Sequence, residues 1–169
     1  MKVKNIHERR LQADRRRAGE LLADLGTKRD RIWPRRNWPA MRLDAPKEKG
    51  GRGGHGPIRY HVSEYVPGHR VAFHFEDRQL SRGLDGVHYF ELEETGKNEI
   101  TARHVIDVRL RGQALLFWPL LIRPLHDALV EDALDNFERA SSERLANDRR
   151  RSGNRYGIYV RLLRKLIVR

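Results

Sequence analysis

The sequence contains no cysteine, and this absence excludes disulfide bonds, thiolate metal sites and cysteine nucleophiles. No apolar run approaches the ~20 residues that a membrane-spanning helix needs, and residues 1–5 lack the apolar core of a secretion signal. Acidic residues are in the minority, since 23 Asp and Glu stand against 35 Lys and Arg, for a net charge of +12. The 169 residues fit one domain with an appendage, and we expect a cytoplasmic protein.

The common sequence signatures of catalysis are missing as well. There is no Gly-x-Ser-x-Gly elbow, no phosphate-binding loop, no dinucleotide fingerprint and no His-Glu-x-x-His zinc motif. The glycine-rich run at residues 50–54 lacks the strand-to-helix context of a phosphate cradle, so we interpret it as a flexible loop. We therefore expect no metal and no cofactor.

The basic excess is concentrated at the C-terminus. Residues 147–169 contain eight Lys and Arg against one acid and carry +7, whereas residues 1–146 carry +5. The polar run from Arg149 to Asn154 is typical of a hinge. We therefore divide the chain into a body, residues 1–146, and a basic tail, residues 147–169.

The tail has the spacing of a short amphipathic helix, with basic residues between the apolar ones. Such a helix can rest on an anionic membrane, pack on its own domain, or pack on a second copy or another protein, and these alternatives stay open. Its regularly spaced leucines argue against a purely electrostatic nucleic-acid arm. The apolar positions are Tyr159, Leu162, Leu163, Leu166 and Ile167, and the residues expected to touch a membrane or partner are Arg161, Leu162, Arg164, Lys165 and Leu166.

The body begins with a strand followed by helical signals. Residues 3–11 alternate weakly and predict an edge strand. Asp14 can cap a helix whose apolar stripe ends before Gly26. The run Thr27 to Asp30 resembles the start of a second short helix, which would end by Trp33-Pro34.

Two hairpins follow the glycine-rich loop. The first hairpin consists of two predicted strands, residues 58–66 and residues 71–75, each with apolar side chains on one face. The sequence Val66-Pro67-Gly68-His69 is typical of the turn that joins them. A second pair of alternating runs, residues 88–92 and 100–106, meets at a turn near Gly96. Each hairpin is expected to bury one face.

The second hairpin permits a prediction of register, because opposed residues of antiparallel strands point to the same face. A three-residue loop with Gly96 in the left-handed conformation would pair Leu92 with Ile100. His88 would then lie opposite His104 on the buried face.

A long helix closes the body. Pro124 fits its first turn, and its apolar side continues to about Ala146. The apolar run at residues 113–125 is interrupted by Pro119 and is too short to span a membrane, so it predicts a lid or a crossing segment.

The order of these elements predicts an α+β fold with the long helix covering the concave face of the sheet. Together with several short motifs, residues 3–146 resemble the START and polyketide-cyclase-like (SRPBCC) superfamily. This resemblance implies a helix-grip fold: a curved antiparallel sheet wrapped around a long C-terminal helix, with two short helices after the first strand. The motifs are Trp33-Pro34, Trp38-Pro39-Ala40-Met41, Gly54 to Tyr60, Glu64 to Gly68 and Trp118-Pro119-Leu120.

The resemblance also implies an elongated cavity between sheet and helix that takes apolar molecules. The inward-facing residues are explained equally well as core residues. His88 and His104 could contact a ligand, act as a general base or form a hydrogen-bonded structural pair. Trp33 or Trp38 could close the cavity. The candidate ligand-binding residues are Tyr60, Val62, Phe73, Phe75, His88, Phe90, His104, Trp118 and Phe137.

These observations support three hypotheses. The first is a protein that binds or transports a small hydrophobic or amphipathic ligand, lipid-like or polyketide-like. The second is a polyketide cyclase or dehydratase-like enzyme that uses His88 or His104 as a general base. The third is a non-catalytic interaction module with a collapsed cavity. The sequence leaves the ligand and the oligomeric state, including a homodimer, open.

Overall fold

The computed structural model describes residues 1–142 and 156–167, with side chains described as far as Lys165. These residues form an α+β fold in which an open antiparallel sheet of seven strands packs against a long helix, as the helix-grip prediction requires. The predicted boundary between body and tail, at residues 146 and 147, lies outside the described residues.

The strands and helices follow one another with few long connections. The strands are β1 (Lys2–Gln12), β2 (Arg42–Leu43), β3 (Arg52–His55), β4 (Ile58–Val66), β5 (Arg70–Phe75), β6 (Leu84–Gly96) and β7 (Glu99–Leu110). The helices are α1 (Arg15–Ala23), α2 (Ala114–Phe117), α3 (Arg123–Ser141) and α4 (Ile158–Ile167), with a 3₁₀ turn at Gln79–Ser81 and a π-helical turn at Trp118–Ile122.

The sheet has the order β1-β7-β6-β5-β4-β3-β2, so the first and last strands of the body pair at one edge. Helix α3 packs on β1 and on the apolar face of the sheet. Phe73 and Phe90 from the sheet meet Phe137 and Leu134 from α3, and all four side chains are almost fully buried. The main core therefore lies between α3 and the sheet.

Strand β1 is an edge strand, as predicted, and it is tied to α3 by charge. Lys2, Lys4, Glu8 and Arg10 are exposed and alternate with less accessible residues. Arg9 reaches the helix, where its guanidinium donates to Glu131 at 2.9 Å and to Glu138 at 3.0 Å and also pairs with Asp135. These contacts fix the position of β1 against α3.

Helix α1 forms as predicted, but the second short helix does not. The Asp14 side chain caps α1 by accepting from the Arg17 amide at 2.7 Å, and Gly26 takes a left-handed conformation with φ of 75° after the helix end. The segment from Thr27 onward forms consecutive turns instead of a helix. The reason lies at Asp30, whose carboxylate accepts from the amides of Gly26, Ile32 and Trp33 and fixes a turn.

The register of the second hairpin differs from the prediction. Lys97 and Asn98 form a two-residue loop, and Asn98, with φ of 58°, takes the left-handed conformation expected of Gly96. The loop pairs Gly96 with Glu99, and a bulge between Glu94 and Gly96 moves the pairing by one residue. The resulting register, with Leu92 opposite Ala102, differs from the predicted one by two residues. His104 therefore lies opposite Phe90, and not opposite His88, although both histidines remain on the same buried face.

Residues 114–122 form a segment that we call the lid, consisting of α2 and the π-helical turn. Pro119 has no N–H to donate, and the helical hydrogen bonding is irregular around it. Ala114, Trp118 and Ile122 are buried and Phe117 and Leu121 are half-buried, whereas Leu115, Leu116 and Leu120 are exposed.

Helix α3 begins directly after the lid, with Pro124 in its first turn as predicted. It ends at Ser141, before the predicted end at about Ala146, because Ser142 is in an extended conformation. The Ser141 hydroxyl donates to the Glu138 carbonyl oxygen at 2.9 Å and satisfies one of the last carbonyl groups of the helix.

Candidate functional site

A cavity of about 80 Å³ lies between the sheet, the lid and α3. Its wall is mainly apolar, with Ile106 from the sheet, Leu121 and Ile122 from the lid and Leu125 and Leu129 from α3. The polar side chains of the wall are the four histidines His55, His88, His104 and His126. An apolar space with a few polar groups is the common composition of a ligand site.

The size of the cavity limits what fits in this conformation. An engineered protein cavity of roughly 150 Å³ accepts benzene, and the present cavity is about half as large. The interior is therefore not fully collapsed, yet a lipid or polyketide chain could enter only if part of the wall moved. The lid, which supplies Leu121 and Ile122 to the wall, also exposes Leu115, Leu116 and Leu120 to solvent.

The imidazoles form a continuous row of neighbouring rings. The His88 and His104 ring centroids lie 5.7 Å apart, those of His104 and His126 lie 5.0 Å apart, and those of His126 and His7 lie 5.9 Å apart. His7, on β1, lies directly opposite His104 on β7 and is the outermost member of the row. At the other end, the Tyr60 ring lies 4.7 Å from His88, and its hydroxyl is 3.0 Å from Nδ1 of His55.

Three of the four cavity histidines carry a buried ring nitrogen without a hydrogen-bond partner among the described residues. These atoms are Nε2 of His88, Nδ1 of His104 and Nε2 of His126. A buried polar atom left unpaired costs about 1–3 kcal/mol, so three in one cavity are unusual for residues whose role is only structural. The wall is therefore prepared to hydrogen-bond a polar group inside the cavity.

Burial keeps the cavity imidazoles neutral. It lowers the pKa of His88 and of His104 well below the usual range, and it lowers that of His55 to about 3. Burial also lowers the pKa of His126, although its contact with Asp127 acts in the opposite direction. A neutral imidazole offers one donor and one acceptor, so these rings can bind an oxygen from either side or take up a proton.

The row ends in a partly exposed acidic pair on α3. His7 lies between the two carboxylates, with Nδ1 2.7 Å from Glu131 Oε1 and Nε2 3.1 Å from Asp127 Oδ1. The hydrogen bond to Asp127 raises the pKa of His7. Burial opposes ionisation of Asp127, but the hydrogen bonds from His126 and His7 outweigh it and lower the pKa of that carboxyl.

The structure brings only part of the predicted site together. Phe75, His88 and His104 line the cavity, and so do Trp33 and Trp38. The remaining candidates are buried residues of the core cluster that do not belong to the cavity wall. They are Tyr60, Val62, Phe73, Phe90, Trp118 and Phe137.

Two cavity histidines escaped the sequence reasoning. His126 could have been found, because Ile122, Leu125, Leu129 and Val130 place it on the apolar stripe of α3 with helical spacing. His55 had no such signal, since it follows a glycine-rich run and reaches the cavity through the pairing of the short strand β3 with β4. Its contact with the Trp33 ring, at 4.7 Å, joins it to the irregular segment after α1.

The tail helix α4 packs on its own domain next to the cavity wall. Arg164 donates to the Asn37 carbonyl oxygen at 2.8 Å, and its guanidinium lies 4.9 Å from the centre of the Trp38 ring and 4.6 Å from that of Tyr156. Asp132 of α3 accepts from Trp38 Nε1 at 2.8 Å and also from the Tyr156 hydroxyl. Trp38 therefore separates the cavity from the tail.

The other side of α4 faces solvent. Arg161, Lys165 and Leu162 are exposed, whereas Leu163 packs against the core. The side chains of Leu166 and Ile167 lie outside the described residues. Among the residues with a described structure, no helix combines the length and apolar character needed to cross a membrane.

Solved structures share this fold at low sequence identity. No family model matches the chain, and no curated protein matches its sequence. A solution structure of a Thermobifida fusca protein matches with a TM-score of 0.62 and 13% identity, covering 84% of this chain and 94% of that one. CalU16 from Micromonospora echinospora matches with a TM-score of 0.54 and 13% identity, covering 98% and 85% of the two chains.

A third match is the di-domain ARO/CYC StfQ from the steffimycin biosynthetic pathway. Its TM-score is 0.59 at 14% identity, and the match covers 86% of this chain and 52% of that one, so the chain spans about half of the di-domain protein. At these identities the likeness shows the fold alone. The chain thus has a helix-grip-like α+β fold that it shares with these solved structures.

Proposed function

We propose that the protein binds a small, largely apolar molecule that carries a carbonyl or hydroxyl oxygen. The observation that supports this proposal is the set of unpartnered ring nitrogens on His88, His104 and His126 in one apolar cavity. A ligand oxygen that forms hydrogen bonds with these nitrogens would remove the free-energy cost of burying them without a partner. Ligands that lack such an oxygen would bind more weakly, so the nitrogens would make binding specific.

The ligand would be lipid-like or polyketide-like only if the lid moves, because the cavity of about 80 Å³ is too small for such a chain. Leu121 and Ile122 contribute to the wall from the lid, so a shift of this segment would lengthen the cavity toward solvent. A compact ring compound would need a smaller movement.

Phenol is a suitable probe, because it combines a small ring with one hydroxyl. Trp33 and Trp38 line the cavity, so binding should quench tryptophan fluorescence in a saturable way. The variant His104→Phe should weaken binding at least tenfold, whereas His61→Phe, on a half-exposed histidine outside the cavity wall, should leave it unchanged. Quenching that is unsaturable or equal in the two variants would count against the proposal, and native mass spectrometry of the purified protein would reveal a co-purified ligand.

A second candidate function is general base catalysis of a cyclisation or dehydration of a polyketide-like substrate. The position of His88 and His104 in the cavity wall, each with an unpartnered ring nitrogen, favours it, since either nitrogen could take a proton from an acidic C–H next to a carbonyl. Burial lowers the pKa of both imidazoles and so weakens them as bases. The likeness to StfQ is consistent with this chemistry at the level of fold. Incubation of the wild type with a poly-β-ketone thioester should give a product lighter than the substrate by one water. His88→Phe or His104→Phe should not form this product, and equal amounts of product from all three proteins would exclude this role.

We further propose that the exposed side of α4 makes peripheral contact with an anionic membrane in the cytoplasm. Arg161 and Lys165 flank the exposed Leu162, Tyr159 and Ile158, which is the pattern of an interfacial helix. The variant Arg161→Glu/Lys165→Glu should no longer sediment with phosphatidylserine vesicles. The control variant Lys47→Glu/Lys49→Glu, which changes the same number of charges on an exposed loop of the body, should still sediment with them. If both variants still sedimented with the vesicles, the exposed side of α4 would fit a protein partner better than a membrane.

A further inference from the structure

The outer end of the histidine row combines two imidazoles and a carboxylate from two different elements. One ligand atom each from His7, His126 and Asp127 lies within 4.8 Å of the others. His7 comes from β1, and the other two are neighbours on α3, so the packing of β1 on α3 creates the group. Sequence spacing gave no sign of it, since about 120 residues separate His7 from the other two.

The contacts within this group do not satisfy its polar atoms. Asp127 Oδ1 lies 3.1 Å from His7 Nε2, 3.1 Å from the Asn5 amide nitrogen and 3.5 Å from His126 Nδ1. Asn5 Oδ1 and His126 Nε2 are nevertheless buried without a partner among the described residues. Two buried polar atoms of the site are thus without a partner in the part of the chain that the structure describes.

His104 adds an independent sign of a missing partner. It lies directly opposite His7 across the β1–β7 pair, its ring is 5.0 Å from that of His126, and it is only 3% exposed. Its Nδ1 has no hydrogen-bond partner among the residues described. His104 therefore places a further unpartnered ring nitrogen next to the group, within one ring spacing of His126.

We propose that His7, His126 and Asp127 bind a divalent metal ion of the zinc class at the rim of the cavity. Imidazole and carboxylate ligands suit Zn²⁺ and its neighbours in the transition series, whereas Ca²⁺ and Mg²⁺ prefer oxygen alone. Zinc–nitrogen bonds of roughly 2.0–2.1 Å place tetrahedral ligand atoms about 3.3 Å apart, so small side-chain rotations would close the observed spacing.

The neighbouring residues fit the role of orienting the ligands. Glu131 contacts Nδ1 of His7 at 2.7 Å, and Arg9 holds the other oxygen of Glu131 at 2.9 Å. A carboxylate on the second nitrogen of a ligating histidine fixes the tautomer and the direction of the ring. Three protein ligands leave one coordination position open for water or for an oxygen of a bound molecule.

This metal site goes beyond the proposed function and is tested without a cavity ligand. Titration of the full chain with Co²⁺ should give visible absorption bands that saturate at one ion per chain and disappear on addition of Zn²⁺. His7→Gln and Asp127→Asn should each weaken Co²⁺ binding at least tenfold, and both replacements keep a hydrogen-bonding side chain of similar shape. Circular dichroism of each variant checks that it is folded.

The matched control is His61→Gln, which removes an alternative imidazole on the sheet. His61 stacks on His74 at 5.6 Å and lies 4.0 Å from Glu76, so it is the other place where imidazoles meet a carboxylate in the part of the chain that the structure describes. Loss of binding in His61→Gln with retention in the other two variants would overturn the proposal. Absence of saturable binding below about 1 mM Co²⁺ in the wild type would do the same.

Discussion

At the residue scale, the four cavity histidines link folding to pH. In the unfolded chain each would titrate near pH 6.5, whereas burial lowers the folded-state pKa of all four, to about 3 for His55. Below pH 6.5 the unfolded state therefore binds more protons than the folded state. Stability is fully present above that pH and is lost as the pH falls.

We expect each of these histidines to lower the free energy of unfolding by about 1.4 kcal/mol per pH unit as the pH falls from roughly 6 to its own folded-state pKa. His7 acts in a different pH range: its raised folded-state pKa adds stability that is fully present below pH 6.5 and is lost as the pH rises through that pKa, so it does not change the slope below about pH 6. Urea denaturation at pH 7.5, 6.5 and 5.5 measures the slope. The slope should become shallower in His88→Phe, and an identical slope in that variant would show that His88 does not contribute.

His88→Phe should change both the free energy of unfolding and the binding of phenol. The centre of the His88 ring lies 5.0 Å from that of Phe73 and 4.7 Å from that of Phe75. A phenyl ring at position 88 would therefore pack against the same two aromatic rings. Removing the unpartnered Nε2 should raise the free energy of unfolding by about 1 kcal/mol at pH 7.5. The same variant should lose phenol binding; a destabilised variant would indicate instead that Nε2 has a partner in solution.

At the element scale, the lid forms part of the cavity wall through Leu121 and Ile122. Its π-helical turn follows from Pro119, and its exposed leucines contribute little to the core. Leu121 is half-buried and lines the cavity, whereas its neighbour Leu120 is exposed. Adjacent leucines thus differ in whether they face the cavity.

Leu121→Ala should destabilise the protein by about 1–2 kcal/mol and enlarge the cavity, whereas Leu120→Ala should change stability by less than about 0.5 kcal/mol. Phenol should bind Leu121→Ala more tightly, because the enlarged cavity admits the ring without lid movement. Urea denaturation and fluorescence titration measure the two effects. Equal behaviour of the two variants would show that Leu121 does not form part of the wall.

Element order and type were largely predictable, and local backbone chemistry explains the exceptions. Alternation and caps located β1, α1, both hairpins and α3 because each element buries one face. Asp30 produced turns where a helix was predicted, since its carboxylate satisfies three amides. The hairpin register failed because Asn98 and not Gly96 adopts the left-handed conformation, which sequence alone does not distinguish.

The site was less predictable than the fold. His88 and His104 were found because strand periodicity assigns a face, and that face is buried. The contribution of His7, His55 and His126 depends on which elements pack together, since β1, β3 and α3 meet only in the folded chain. Core and cavity residues also share one apolar pattern, so periodicity could not separate Phe75, in the wall, from Phe73, in the core.

At the scale of the whole molecule, the tail helix packs against one residue of the cavity wall, Trp38. Arg164 stacks on Trp38, which is itself a cavity residue, so α4 and the ligand site share one tryptophan. Arg161 is exposed on the same helix and provides a matched control.

Arg164→Ala should release α4 from the body, because it removes the hydrogen bond to Asn37 and the cation–π contacts with Trp38 and Tyr156. We expect faster trypsin cleavage after Lys165 and a shift in tryptophan emission toward longer wavelength, with neither effect in Arg161→Ala. Cleavage at the wild-type rate in Arg164→Ala would mean that Tyr156 and Leu163 hold the helix by themselves.

The edge position of β1 bears on how the protein behaves at high concentration. A free strand edge is a template on which another chain can add a strand, and repeated addition leads to aggregation. Along the eleven residues of β1, Lys2, Lys4, Glu8 and Arg10 remain in solvent, and burying such charges between stacked chains would be costly. The strand that supplies His7 to the row of imidazoles thus also opposes self-templated fibre growth.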